Sequence, residues 1–166
     1  MSSVFVECTA SLESPGELTY RVADYAFDFQ PAGIVDPTIL LFGSVQVEAD
    51  STGRCRYAWG YSPFQGWRKA RLPELPTPSS SVCVLLGEVE PGDVLVVTEP
   101  ANTVATVDPD TGSVWMRAGS VSSETYDWAA SIAPGVEILG WEDGSVGGLL
   151  LTPTNSFEVL DVVKAT

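Results

Sequence analysis

The feature that most constrains this chain is an apolar period of two, cut again and again by turn chemistry. Val4-Phe5-Val6-Glu7-Cys8 alternates before Ser14-Pro15-Gly16, and Leu18 to Phe29 stays extended until Pro31-Ala32-Gly33. Ile39 to Ala49 and Cys55 to Tyr61 flank Asp50-Ser51-Thr52-Gly53, a hairpin signal in which glycine can take a positive φ. Val82 to Val89 and Val94 to Thr98 flank Pro91-Gly92-Asp93, while Thr103 to Val107 and Ser113 to Arg117 flank Asp108-Pro109-Asp110-Thr111-Gly112. Val136 to Trp141 turns at Glu142-Asp143-Gly144-Ser145 toward Leu149-Leu150-Leu151, and Phe157 to Val163 reads as a last strand. Alternate residues of a strand face opposite sides, so this pattern suits half-buried strands. It predicts a mainly β fold: a single antiparallel β-barrel or β-sandwich of about nine or ten short strands.

One short α-helix is expected near 123–133. Ser122 or Ser123 can cap it, Glu124 and Asp127 suit the positive end of its dipole, and Pro134-Gly135 stops it. Residues 72–81 hold three prolines in a short span and read as an extended crossing loop. Either half of the chain is small for an independent core, which favours one acidic domain over 1–166.

Charge and one missing residue type exclude the most. Asp and Glu number 22 against 8 Lys and Arg, for a formal charge of −14 on 166 residues. General nucleic-acid binding needs the opposite sign and is not expected. The chain contains no histidine, which removes Ser-His-Asp and Cys-His catalysis and every histidine metal site. Hydrophobic residues make up 45% of the chain, enough to bury a core and to exclude disorder.

Three cysteines, Cys8, Cys55 and Cys83, are widely spaced and form no CxxC pair, so no zinc ribbon or thioredoxin-type site is encoded. Each lies in an apolar or alternating run, and buried reduced thiols in a cytoplasmic protein are the expectation. The first twenty residues carry Glu7, Glu13 and Glu17 and no basic residue, unlike a secretory leader. The longest apolar runs are too short to span a bilayer. Few lysines beside abundant Ala, Val and Gly suggest a GC-rich bacterial or phage coding sequence.

Five of the eight basic residues fall between 54 and 71: Arg54, Arg56, Arg68, Lys69 and Arg71. The same window holds Tyr57, Trp59, Tyr61, Phe64 and Trp67. Alternation puts Cys55, Tyr57, Trp59 and Tyr61 on one strand face and the two arginines on the other. Such rings either fill a core or serve as anchors with an arginine rim, since Tyr, Trp and Arg dominate binding hot spots. Gly60-Tyr61-Ser62-Pro63-Phe64-Gln65-Gly66-Trp67 ends the strand and presents Phe64 and Trp67 on a loop, folded over the core or offered to a partner. Asp24 and Asp28 lie on one strand face about 13 Å apart, too far to share a proton. The Asp108–Gly112 segment lacks the acidic residue that closes a calcium loop and reads as a turn. Gly147-Gly148 has no following helix or lysine, so it is no phosphate loop. No metal and no cofactor is expected.

Three functions fit such an object. The first is a non-catalytic acidic binding protein, of inhibitor or immunity type, that neutralises or docks a basic protein through its strong field. Its contact residues would be Arg54, Arg56, Phe64 and Trp67 together with Glu88, Glu90 and Asp93, part of a set of turn carboxylates that includes Glu48. The second is a cofactor-free β-barrel, a cyclase or isomerase working by orientation alone. Its pocket would be lined by Asp24, Tyr25, Phe27, Tyr57, Trp59, Tyr61 and Trp115. The third is a phage-type assembly subunit.

Overall fold

The computed structural model describes residues 3–121 and 126–166. In chain order the strands are β1 (Val6–Ala10), β2 (Glu17–Arg21), β3 (Ala26–Gln30), β4 (Thr38–Phe42), β5 (Val45–Ala49), β6 (Cys55–Tyr61) and β7 (Arg68–Lys69). They continue with β8 (Ser79–Leu85), β9 (Val94–Thr98), β10 (Thr103–Val107), β11 (Val114–Ala118), β12 (Trp128–Ala133), β13 (Val136–Gly140) and β14 (Val146–Leu151), before the helix α1 (Ser156–Lys164).

These strands form two sheets. One has eight strands in the order β1-β8-β12-β13-β14-β11-β10-β7, and the other has six in the order β2-β3-β6-β5-β4-β9. Both are mixed: β8 with β12, β10 with β7 and β4 with β9 pair parallel, the remaining neighbours antiparallel. The mainly β expectation therefore holds, but the described residues form fourteen strands in place of nine or ten, because several are short and pair across the chain. The sheets are also not purely antiparallel, and among these residues no barrel closes. A contiguous core takes Phe27, Leu40, Val47 and Ala58 from the six-stranded sheet and Val114, Ile138 and Leu149 from the eight-stranded one. Among the described residues, no helix is long and apolar enough to cross a membrane.

Local turn signals read correctly. Asp50 Oδ1 accepts the Thr52 and Arg54 N–H groups and so closes the β5–β6 turn. Asp108 Oδ1 likewise accepts the Asp110 N–H in the turn between β10 and β11.

Three expectations need correction. The helix expected near 123–133 is replaced over Trp128–Ala133 by β12, an inner strand of the larger sheet; its first positions, 123–125, and the candidate cap Ser122 lie outside the described residues. Flanked on both sides, Ala129-Ala130-Ser131-Ile132-Ala133 has no need of strict alternation, and small residues there imitate a helix. The actual helix is α1, read from sequence as a strand because Phe157 to Val163 is rich in β-branched residues. Its buried side chains, Val159 and Val163, stand four residues apart on one helical face. Finally, β8 and β9 do not form a hairpin; they belong to different sheets.

The cysteine expectation also fails for two of three residues. Antiparallel pairing sets Cys8 of β1 directly opposite Cys83 of β8, and the two form a disulfide. Cys55 is the free thiol, buried, and burial pushes its pKa up to about 12, so it is inert.

Candidate functional site

The most unusual surface is the face of the six-stranded sheet turned away from Leu40, Val47 and Ala58. Strand parity puts Tyr57, Trp59 and Tyr61 of β6 on this face, as the sequence indicated. Across the ladder, Glu48 of β5 is opposite Tyr57, and Gln46 is opposite Trp59. These four side chains form one network. Glu48 is only 6% exposed. Its Oε1 accepts the Tyr57 hydroxyl at 3.2 Å, while Oε2 accepts the Gln46 amide at 3.1 Å and also the Trp59 indole N–H. Every donor is neutral, and among the described residues no lysine or arginine forms an ion pair with Glu48. A nearly buried acidic side chain thus has hydrogen-bond partners on both oxygens and, among the described residues, no ion pair.

The rings around it are held at fixed angles. Phe29 stacks on Tyr57 at 5.3 Å, and the Tyr57 hydroxyl also accepts the Gly33 N–H at 3.0 Å, pinning the loop after β3. Gly60 separates Trp59 from Tyr61 at φ +145°, where a Cβ would lie 2.5 Å from the Ser44 carbonyl. Only glycine lets β6 pass this close to the β4–β5 turn. Tyr25 follows the 3-10 turn Val22–Asp24 in the left-handed region at φ 54°, and its carbonyl accepts the Ser62 N–H at 2.7 Å. That places the Tyr25 ring 6.5 Å from Tyr61 and 5.8 Å from Phe64. Trp59, Tyr61 and Tyr25 are 42%, 54% and 37% exposed, and together they form an open, ordered aromatic surface.

The other sequence-selected residues are dispersed. Trp67 is buried against Tyr20 and Phe27, its indole N–H donating to Ser62 Oγ at 2.8 Å, so its ring belongs to the core and is closed to a partner. Phe27 is likewise core. Arg54 reaches the Leu12 carbonyl at 3.3 Å, and Arg56 lies 3.7 Å from Asp50. Asp24 pairs with exposed Arg21, and Asp28 receives the Gln30 amide. Glu88, Glu90 and Asp93 occupy the segment before β9, where Asp93 Oδ2 accepts the Glu90 N–H. Trp115 lies in the other sheet, with Tyr126. The residues chosen as one pocket therefore do not line one cavity. A hollow of about 260 Å³ touches Tyr61 and Trp67, and a separate one of about 240 Å³ touches Tyr57 and Arg56.

Sequence reasoning counted Glu48 only among surface acids. The available signal was a charged residue inside the alternating Val45-Gln46-Val47-Glu48-Ala49, facing a Tyr/Trp strand across a short turn. Among the described residues, no group of three or more Cys, Asp or Glu side chains is gathered to hold a metal ion. No protein-family model matches the chain, and comparison with curated proteins finds no relative.

Proposed function

We propose that this chain is a non-catalytic acidic binding protein that docks a basic protein partner through the aromatic face of the six-stranded sheet. The observation that supports this most is the set of hydrogen bonds around Glu48 on that face. Glu48 has three neutral donors and, among the described residues, no ion pair, beside two rings open to solvent. A lysine or arginine from a partner would pair with Glu48 and lie against the ring faces of Trp59 and Tyr61, where cations are attracted. Rigid aromatic anchors already ordered in the free protein lose little entropy on binding, as effective hot spots require. The surplus of acid over base adds long-range steering toward such a partner. As for compartment, the Cys8–Cys83 bridge favours an oxidising environment over the cytoplasm expected from reduced thiols.

Calorimetric titration with a hexa-arginine peptide at low and high salt tests the reading. Binding should weaken steeply as salt rises, and Trp59→Ala and Glu48→Gln should each reduce it by about tenfold. Salt-independent binding, or unchanged binding in both variants, contradicts it.

A further inference from the structure

Two mixed open sheets leave four strand edges, and three of them are visibly protected. β7 is two residues long and consists of exposed Arg68 and Lys69, a short cationic edge that discourages pairing. β2 is clamped by the segment before α1: Asn155 Oδ1 accepts the Tyr20 N–H, Asn155 Nδ2 donates to the Tyr20 carbonyl, and the Thr154 N–H donates to the Leu18 carbonyl. β1 is tied at its start to the β13–β14 turn through Val6 N–H to the Gly144 carbonyl and Val146 N–H to the Val4 carbonyl, and it carries Glu7.

The fourth edge is the least protected, its one device being a bulge at Val97, where the register with β4 shifts between Leu41–Val96 and Phe42–Thr98. β9 is Val94-Leu95-Val96-Val97-Thr98, without a charge, a proline or a bulky polar cap. It pairs with β4 on one side, and its flanking backbone bonds, Ile39 N–H to Asp93 and Gly43 N–H to Thr98, run to that same side. Among the described residues no strand is hydrogen-bonded to its other side, although β14 of the larger sheet comes close to β9. Val94 is 55% exposed, and Leu86 and Phe5 nearby are also open. A hollow of about 390 Å³ follows Val94–Val96, walled by Phe5, Leu86 and Val89. A second, of about 400 Å³, follows Val97 and Thr98. The in-register stretch Val94–Val96 spans about 10 Å along the first hollow, and the second hollow continues beyond the bulge.

The charge around this edge has one sign. Glu88 lines the first hollow and Glu99 the second, among the described residues no lysine or arginine lines either, and Glu90 and Asp93 lie in the adjoining turn. We infer that β9 is a docking edge that takes an extended apolar segment, with lysine or arginine at its ends, as an added strand. Backbone hydrogen bonds supply the pairing, Phe5 and Leu86 receive alternate apolar side chains, and the flanking carboxylates select the basic ends. A second copy of this chain is disfavoured as occupant, because it brings the same acidic rim to the same place. The basic character of the partner rests on the reading of the chain as an acidic binding protein; the edge itself is independent of the aromatic face.

The probe is a fluorescent peptide of sequence Lys-Val-Thr-Val-Thr-Val-Lys, followed by anisotropy with the full chain. Saturable binding is expected, with a loss of at least about tenfold when alternate peptide nitrogens are methylated, since these cannot join a ladder. Glu88→Lys with Glu90→Lys, both exposed, should weaken binding by about tenfold, and Val94→Lys should do the same by charging the edge. Trp59→Ala should leave this peptide unaffected, which separates failure here from failure of the aromatic-face reading. Equal affinity for the methylated peptide, no binding by the parent peptide, or a dimer in sedimentation that Val94→Lys dissolves would each overturn the proposal. The methylated peptide needs no protein variant, so misfolding of a substituted chain cannot mask the result.

Discussion

The two sheets each carry a group of aromatic rings, and the two groups have opposite fates. On the eight-stranded sheet, Trp115 of β11 is 4% exposed and lies 6.1 Å from Tyr126, which stacks on Trp141 at 5.4 Å. The proline-rich crossing covers this group: Leu72 and Leu75 pack on it, and the Leu72 N–H is anchored on Asp108 Oδ2 at 3.1 Å. The Arg117 guanidinium sits 4.5 Å over the Trp115 ring, and burial pushes the Tyr126 hydroxyl pKa up to about 12. On the six-stranded sheet, Trp59 and Tyr61 receive no such cover. Aromatic rings on a strand thus become core or surface according to whether another segment crosses them. Here a strap of prolines and leucines closes one face and leaves the other available.

Substitutions can break or sharpen this contrast. The largest effect belongs to Trp115→Ala, which should lower the free energy of unfolding by about 3–5 kcal/mol in urea denaturation, as for any closely packed core ring. A loss below about 1 kcal/mol would mean that the strap is not a real cover. Next comes Gly147→Ala on β14. Its Cβ would lie 2.0 Å from the Trp141 ring, and the ring must move, at a cost of about 1–3 kcal/mol seen as a lower melting temperature and altered near-ultraviolet dichroism.

Leu75→Ala thins the strap and should cost about 1 kcal/mol, with a red shift of tryptophan emission as Trp115 gains water. The shift should be absent if Leu75 is replaced in a chain that already lacks Trp115.

A smaller effect tests the covered sheet by pH. Glu137 of β13 shares strand parity with Leu139 of the covered group; its pKa is raised by burial and by the nearby charge of Glu13. A carboxyl whose folded pKa exceeds its unfolded one favours the fold when protonated, and that support is lost as pH rises through the folded pKa. Glu137→Gln should therefore raise the melting temperature at pH 7 by an amount worth less than about 1 kcal/mol and give no gain near pH 3. Equal gains at both pH values would assign the effect to packing.

How much of this was legible in the sequence follows from how local each feature is. The Asp50–Gly53 and Asp108–Gly112 turns depend on neighbours within a few residues, and they read correctly. So did the common face of Tyr57, Trp59 and Tyr61, which needs only strand parity. Leu18 to Phe29 looked like one extended stretch because the break at Val22–Asp24 carries no proline or glycine; the chain turns there with Tyr25 in the left-handed region. The pairing of Cys8 with Cys83, 75 residues apart, depends on β1 lying beside β8, and no local pattern states it. The assignment of Trp115 to the Trp59 pocket failed for the same reason, since periodicity gives a face but not a sheet. The cover on Trp115 was equally hidden: residues 72–81 read as a linker, and only the fold shows which surface they cross.

The central claim is that the Trp59 side of the molecule is kept for recognition and contributes little to folding. Urea denaturation of Trp59→Ala tests it most directly. The account predicts a loss of about 1 kcal/mol, chiefly the hydrogen bond to Glu48 and partial ring burial, in a chain that otherwise unfolds as before. A loss of about 3 kcal/mol or more would place Trp59 with Trp115 as core and remove the distinction between the two faces.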